Sequence, residues 1–147
     1  MIAEFIQYTQ VADQKIMDVF NESGKKMPEA ERLFSHVLNA QHIWAKRILC
    51  ESTQYGVWEE HHKEDFQAIA TENFRLLQNA LGSVQMEDVI VYKNSSGQEF
   101  TNLVGDMILH MLNHSTYHRG QIMTMFKHNG IEPLVTDYII LKRNHLL

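Results

Sequence analysis

Only one cysteine, Cys50, occurs in the 147 residues, which excludes an intrachain disulfide and points to a reducing compartment. Proline is almost absent, with two residues, and the seven glycines are scattered. No linker or low-complexity stretch can be built from them, so the length reads as a single domain able to bury a core. No apolar run approaches the roughly 20 residues that span a bilayer. The opening stretch MIAEFIQYTQVADQ carries Glu4, has no basic segment and does not read as a signal peptide. A cytoplasmic protein with no membrane partner is the expectation. Positive charge is also short: 13 Lys and Arg face 18 Asp and Glu, for a net charge of −5, and no stretch concentrates the cations. Counterion release needs a basic face, so no nucleic-acid partner is expected.

Apolar residues at helical spacing fill most of the chain. Phe5, Ile6, Val11, Ala12, Ile16, Val19 and Phe20 predict a first helix over 2–22, with Gly24 as its C-terminal cap. Pro28 suits the first turn of a second helix, followed by Glu29 and Glu31 where the dipole favours them, and that helix runs to about Cys50. A third is predicted from Glu60 to Leu81, ending near Gly82. Residues 88–100 differ: Val89, Ile90, Val91 and Tyr92 are strand formers and residues 94–97 read as a turn, giving a small hairpin or an ordered loop. Thr101 is the predicted cap of a fourth helix running to about Asn129. Pro133 opens a short last helix through Asp137 and Tyr138 to about Arg143. The predicted fold class is all-α, a four-helix bundle with a short C-terminal helix and a hairpin or loop before the fourth helix.

Histidine is what the chain has in quantity. Nine occur, and three fall in HMLNHSTYHRGQ at 110–121: His110, His114 and His118. On a helix, residues four apart sit one above the other with Cβ atoms roughly 5–6 Å apart, so two imidazoles can reach one ion. Residues eight apart are separated by about 12 Å of rise, too far for one ion. The pair is therefore His110 with His114, or His114 with His118. Val104, Met107, Ile108, Met111, Ile122, Met125 and Phe126 define an apolar stripe. His118 falls inside it, His114 at its edge and His110 beyond it. Metals in bundles are bound by inward-facing side chains, which favours His114 with His118. From the second helix, His36 shares a half with Leu33, Val37, Ala40, Ile43, Trp44 and Ile48, whereas His42 shares the other half with Glu31, Ser35, Asn39 and Lys46. His36 is the better inward candidate.

The remaining candidates take plainer readings. His61, His62, His128 and His145 lack partner spacing and are expected on the surface. Cys50 reads as a small core residue, the set Met107, Met111, Met123 and Met125 as packing, and Trp44 and Trp58 as core or interface. Gly120 inside a helix costs about 1 kcal/mol against Ala, which close approach of another helix would explain.

As a whole, the run N-H-S-T-Y-H-R-G-Q resembles the signature of the DinB/YfiT-like metalloenzyme family. Residues 33–40 (LFSHVLNA), followed by Trp44 and Arg47, resemble the family's second-helix motif. Tyr92, Asn94, Gly97 and Phe100 look like its connection before the histidine helix. Pro133, Thr136, Asp137, Tyr138, Leu141 and Arg143 resemble its ending. The resemblance implies a four-helix bundle of unusual helix order, a homodimer, and a metal held by His36, His114 and His118, with His110 an extra histidine one turn upstream. Three neutral histidines leave a divalent ion its full charge and an open position, the catalytic pattern. Zinc or nickel is expected, and iron or copper also suits imidazole.

Relatives use small thiols such as mycothiol or bacillithiol. The implied activity is a transferase that activates a low-molecular-weight thiol for conjugation to an electrophilic small-molecule substrate. Tyr117, Arg119 and Gln121 are the catalytic candidates. Arg119 points about 100° from His118 and serves structure as readily as chemistry. Gln121 lies on the His114 side and is placed to orient a ligand. The competing reading is a non-enzymatic, dimeric, damage- or stress-inducible interaction protein whose metal is structural or incidental.

Overall fold

Helices form where apolar residues recur at three- and four-residue spacing. The computed structural model describes residues 1–147 and contains α1 (Ile2–Glu22), α2 (Pro28–Ile48), α3 (Phe66–Ser83), β1 (Val89–Lys93), β2 (Glu99–Leu103), α4 (Val104–His128) and α5 (Tyr138–Arg143). The chain is thus mostly helical but not purely all-α. Of the two alternatives for 88–100, the hairpin is realised: β1 and β2 pair antiparallel from Val89 opposite Leu103 to Lys93 opposite Glu99. The Asn94 side chain closes the turn by accepting N–H bonds from Ser96 and Gln98 at 3.0 and 2.9 Å.

α2 packs against α3 and α4, and α1 packs against the same two, so α1 lies diagonally across from α2, and α3 from α4. Two apolar clusters fill the interior. One gathers Phe20, Phe34, Phe66 and Phe126, whose ring centroids lie 5.1–5.7 Å apart in tilted and edge-to-face pairs. The other gathers Ile48, Leu77, Val104, Met107, Ile108 and Met111. Each such side chain contributes roughly 1.5–3 kcal/mol by burial. Between the clusters lie the polar residues Asp13, Gln41, Ser115 and Arg119, all buried. α5 docks on α1: Tyr138 stacks on Phe5 at 5.1 Å, and Tyr8 Oη donates to the Thr136 carbonyl at 2.8 Å. No helix is long and apolar enough to cross a membrane.

Several expected boundaries move, each for a local reason. Thr101 is a β2 residue and caps nothing. α4 starts at Val104, because its first N–H groups, from Val104 and Gly105, donate to the Asp88 and Met86 carbonyls at 2.9 Å. Gly105 lets the strand connection approach closely, since a Cβ there would stand 3.3 Å from the Met86 oxygen, a tight contact. The third helix starts at Phe66, after a single 3₁₀ turn at Lys63–Asp65, and not at Glu60. Pro133 does not open the last helix: residues 131–137 run without regular structure and α5 begins at Tyr138.

Cys50 is exposed rather than buried. It follows the last α2 residues in a left-handed conformation, φ +55°. Its N–H bonds to the Arg47 carbonyl and that of Glu51 to the Lys46 carbonyl, a Schellman ending built on a residue that is not glycine. Gly120 has no helix pressed against it, since a Cβ there would meet nothing within 4 Å.

Candidate metal centre

The centre is assembled from α2, α4 and the loop between α2 and α3. α2 is buried all round from Leu33 to Ile43, so the half that carries Ser35, Asn39 and His42 does not face solvent. The loop covers it. Ser35 Oγ accepts from the His61 N–H at 3.1 Å, and Asn39 donates to the Glu59 carbonyl at 2.7 Å and accepts from His61 Nε2 at 2.6 Å. His42 Nε2 accepts from the Gln54 N–H at 3.1 Å. His42 is therefore a buried histidine that anchors the loop, and His61 is partly covered rather than on the open surface. These ties lay residues 57 and 58 across His36. The Val57 carbonyl accepts from His36 Nδ1–H at 2.9 Å, and the Trp58 ring stacks on the imidazole at 3.8 Å and 10°.

His36, His114 and His118 come together. One ligand atom from each lies within 4.8 Å of the others, with His36 Nε2 and His118 Nε2 each 3.1 Å from His114 Nε2. His118 Nδ1–H donates to Gln121 Oε1 at 2.6 Å, and Gln121 Nε2 donates to Tyr117 Oη at 3.4 Å. With their Nδ1 protons committed, neutral His36 and His118 both present an Nε2 lone pair to His114. The His114 Nε2 carries at most one proton, so at least one of the two 3.1 Å contacts sets lone pair against lone pair. A divalent cation relieves that repulsion. Tetrahedral zinc, with bonds of about 2.0–2.1 Å, holds its nitrogens about 3.3–3.4 Å apart, close to the spacing seen here. The donor set therefore fits a metal ion.

Burial keeps His114 and His36 in the neutral form a metal needs. Burial, then the neighbouring His118, His36 and His110, push the His114 pKa down to about 4. His36 is also lowered, first by burial, against the opposing bond to Val57. His36 and His118 each donate their other ring N–H to an oxygen, the arrangement that orients metal-ligating histidines. His114 Nδ1 is buried without a partner.

The remaining expected residues separate. His110 stays out of the cluster and lies against Trp44, with ring centroids 4.9 Å apart. Tyr117 is 64% exposed, at the rim beside His118. Arg119 faces away from the centre and is only 2% exposed. Its Nη1 lies 3.5 Å from Asp13 Oδ1, and its Nη2 donates to Thr116 at 3.0 Å. This reverses the expected stripe, in which His118 pointed inward and Arg119 did not. The buried face of α4 runs through Ser115 and Arg119, because Asp13 and Gln41 opposite supply polar partners there. Gln121 holds His118, not His114.

Trp58, expected in the core or an interface, instead lies over His36 at the site, and the Val57 carbonyl was not singled out from the sequence. Trp58 had a signal, a large aromatic in the polar stretch ESTQYGVWEE; a backbone carbonyl has none. Trp58 is 53% exposed, with Arg32 over its ring at 5.3 Å. Together with Gln121 and His128 these residues line a cleft of about 660 Å³ that opens onto His118. The family model of the DinB family matches residues 2–145. No curated protein and no solved structure matches the chain.

Proposed function

The chain belongs to the DinB family, and from that premise we propose that it is a divalent-metal-dependent enzyme, built on the family's four-helix bundle, that activates a low-molecular-weight thiol for transfer to an electrophile. The observation that carries the reading is the meeting of three Nε2 atoms, whose lone pairs the one proton available at His114 Nε2 cannot all satisfy. When bound, a divalent ion on three neutral imidazoles keeps its charge and an open position, and supplies Lewis acidity that brings a thiol or water toward a neutral pKa. Zinc or nickel is the preferred ion, with iron or copper accepted by the same donors.

The residues of the chain do the positioning. Val57 and Gln121 fix the two outer rings by their Nδ1 protons. Trp58 covers one face of His36 and keeps water from it. Tyr117, hydrogen-bonded to Gln121 beside His118, is the candidate for proton exchange with a small substrate. Arg32, beside Trp58, offers that substrate a positive charge. Arg119 has no part in the chemistry.

Protein purified without an affinity tag and loaded with zinc or nickel is to be offered aryl halides and epoxides with bacillithiol, mycothiol, glutathione and coenzyme A in turn. Metal-dependent consumption of one thiol, abolished by His114→Ala/His118→Ala, is the expected result. No turnover with any of the four contradicts the enzyme and favours the non-enzymatic interaction protein.

A further inference from the structure

A second cavity, of about 480 Å³, includes Val57 of the same loop but none of the three histidines. Arg47, in the last turn of α2, stands in its wall. Trp44 and Tyr92 meet edge to face, 5.4 Å apart at 72°, and form a corner for the guanidinium, whose central carbon lies 4.7 and 4.8 Å from the two ring centroids. The rings fix the group and remove part of its water without offering it an acceptor. None of the ion pairs in the structure includes Arg47, and no protein group accepts a hydrogen bond from its side chain. Arg119, the other covered arginine, has Asp13. Burial pulls the Arg47 pKa down, with only Tyr92 opposing.

The one acidic side chain on the wall does not repair this. Glu51 is held by Lys46 at 2.6 Å. Lys93 adds a second positive charge, while Ile43 and Val91 give the cavity an apolar side. A guanidinium has five N–H donors in a planar fork that matches the two oxygens of a carboxylate. Leaving that fork half-buried and unspent is costly to the free protein, and the cavity is of a size that takes a metabolite.

We infer that Arg47 anchors a carboxylate-binding subsite in this cavity, taking a small organic acid whose apolar body lies against Ile43 and Val91. The subsite does not depend on the metal. It adjoins the metal centre through Val57, which lines the cavity and whose carbonyl holds His36.

The test is titration of the full-length protein with hexanoate, succinate, inorganic phosphate and the neutral analogue hexanamide, followed by ¹H–¹⁵N NMR. Hexanoate is expected to give saturable shifts of the Trp44 indole N–H and the Arg47 Nε–H, leaving the Trp58 indole in place. Binding weakens about tenfold or more for hexanamide and for Arg47→Gln, the loss expected when a charge-assisted bidentate pair is removed. The inference is overturned if neither carboxylate gives saturable shifts, if hexanamide binds as well as hexanoate, or if phosphate binds more tightly than both carboxylates. Undiminished hexanoate binding by folded Arg47→Gln overturns it equally. The hexanoate–hexanamide comparison needs only the unaltered protein, so it stands even if that variant does not fold.

Discussion

Adjacent residues of α4 serve two buried polar regions that obey opposite rules. Ser115 and Arg119 join Asp13 and Gln41: Gln41 Nε2 donates to Asp13 Oδ2 at 2.7 Å and to Ser115 Oγ at 3.2 Å, and Arg119 sets its charge beside Asp13. His114 and His118, each one residue earlier, turn instead to His36 and the loop over α2. In the first region every charge meets its opposite inside the protein. In the second, three Nε2 atoms converge and a single proton at His114 cannot satisfy both contacts. A polar layer whose opposite charges pair with each other needs no ion and reads as structure; one whose ring nitrogens converge without a counter-charge calls for a cation from outside.

The largest test of this contrast is Arg119→Met. It leaves buried Asp13 without its counter-charge and is expected to cost about 3–5 kcal/mol in urea unfolding at neutral pH, whereas the double variant Asp13→Leu/Arg119→Met is expected to recover most of that. A double variant as unstable as the single would mean that the layer does more than neutralise itself.

Next comes pH. Burial raises the Asp13 pKa from 3.8 to about 6, against the pull of Arg119 and Gln41, so the folded state holds this proton more tightly than the unfolded chain does. Asp13 therefore supports folding fully below about pH 4, and that support is lost as pH rises through about 6. The stability of the parent minus that of Asp13→Asn should fall by on the order of 3 kcal/mol across this window. A flat difference would show that Asp13 ionises as readily in the folded protein as in the unfolded chain.

On the histidine side, Gln121→Leu removes the acceptor of His118 Nδ1–H and leaves all three ligands. Metal affinity, read by competition with a chelator, is expected to drop about 10- to 100-fold. Unchanged affinity would mean that the ring is held in place without Gln121. Gly120→Ala is the smallest change. It adds a Cβ that meets nothing and should raise stability by up to about 1 kcal/mol; a loss would point to a neighbour over that face.

Much of this was legible in the sequence, and the gaps have physical causes. The four long helices followed from apolar spacing, and residues 110–121 together with His36 carried the family resemblance. The stripe argument reached His118 for a wrong reason, because apolar periodicity cannot see a polar interior. Between Leu112 and Ile122 the inward positions of α4 belong to Ser115 and Arg119, whose partners lie on α1 and α2, far away in the chain. Ser35, Asn39 and His42 looked like a solvent face because the loop that covers them has no periodicity of its own. Val57 acts through its backbone and leaves no trace in residue type.

The central claim is that His36, His114 and His118 hold one divalent ion. Tag-free protein, stripped of metal and titrated with zinc or nickel against a competing chelator, reads it directly. The account predicts one ion bound per chain, an unfolding midpoint that rises on binding, and loss of both in His114→Ala/His118→Ala. Full metal retention by that double variant, or no metal uptake by the parent, would contradict it.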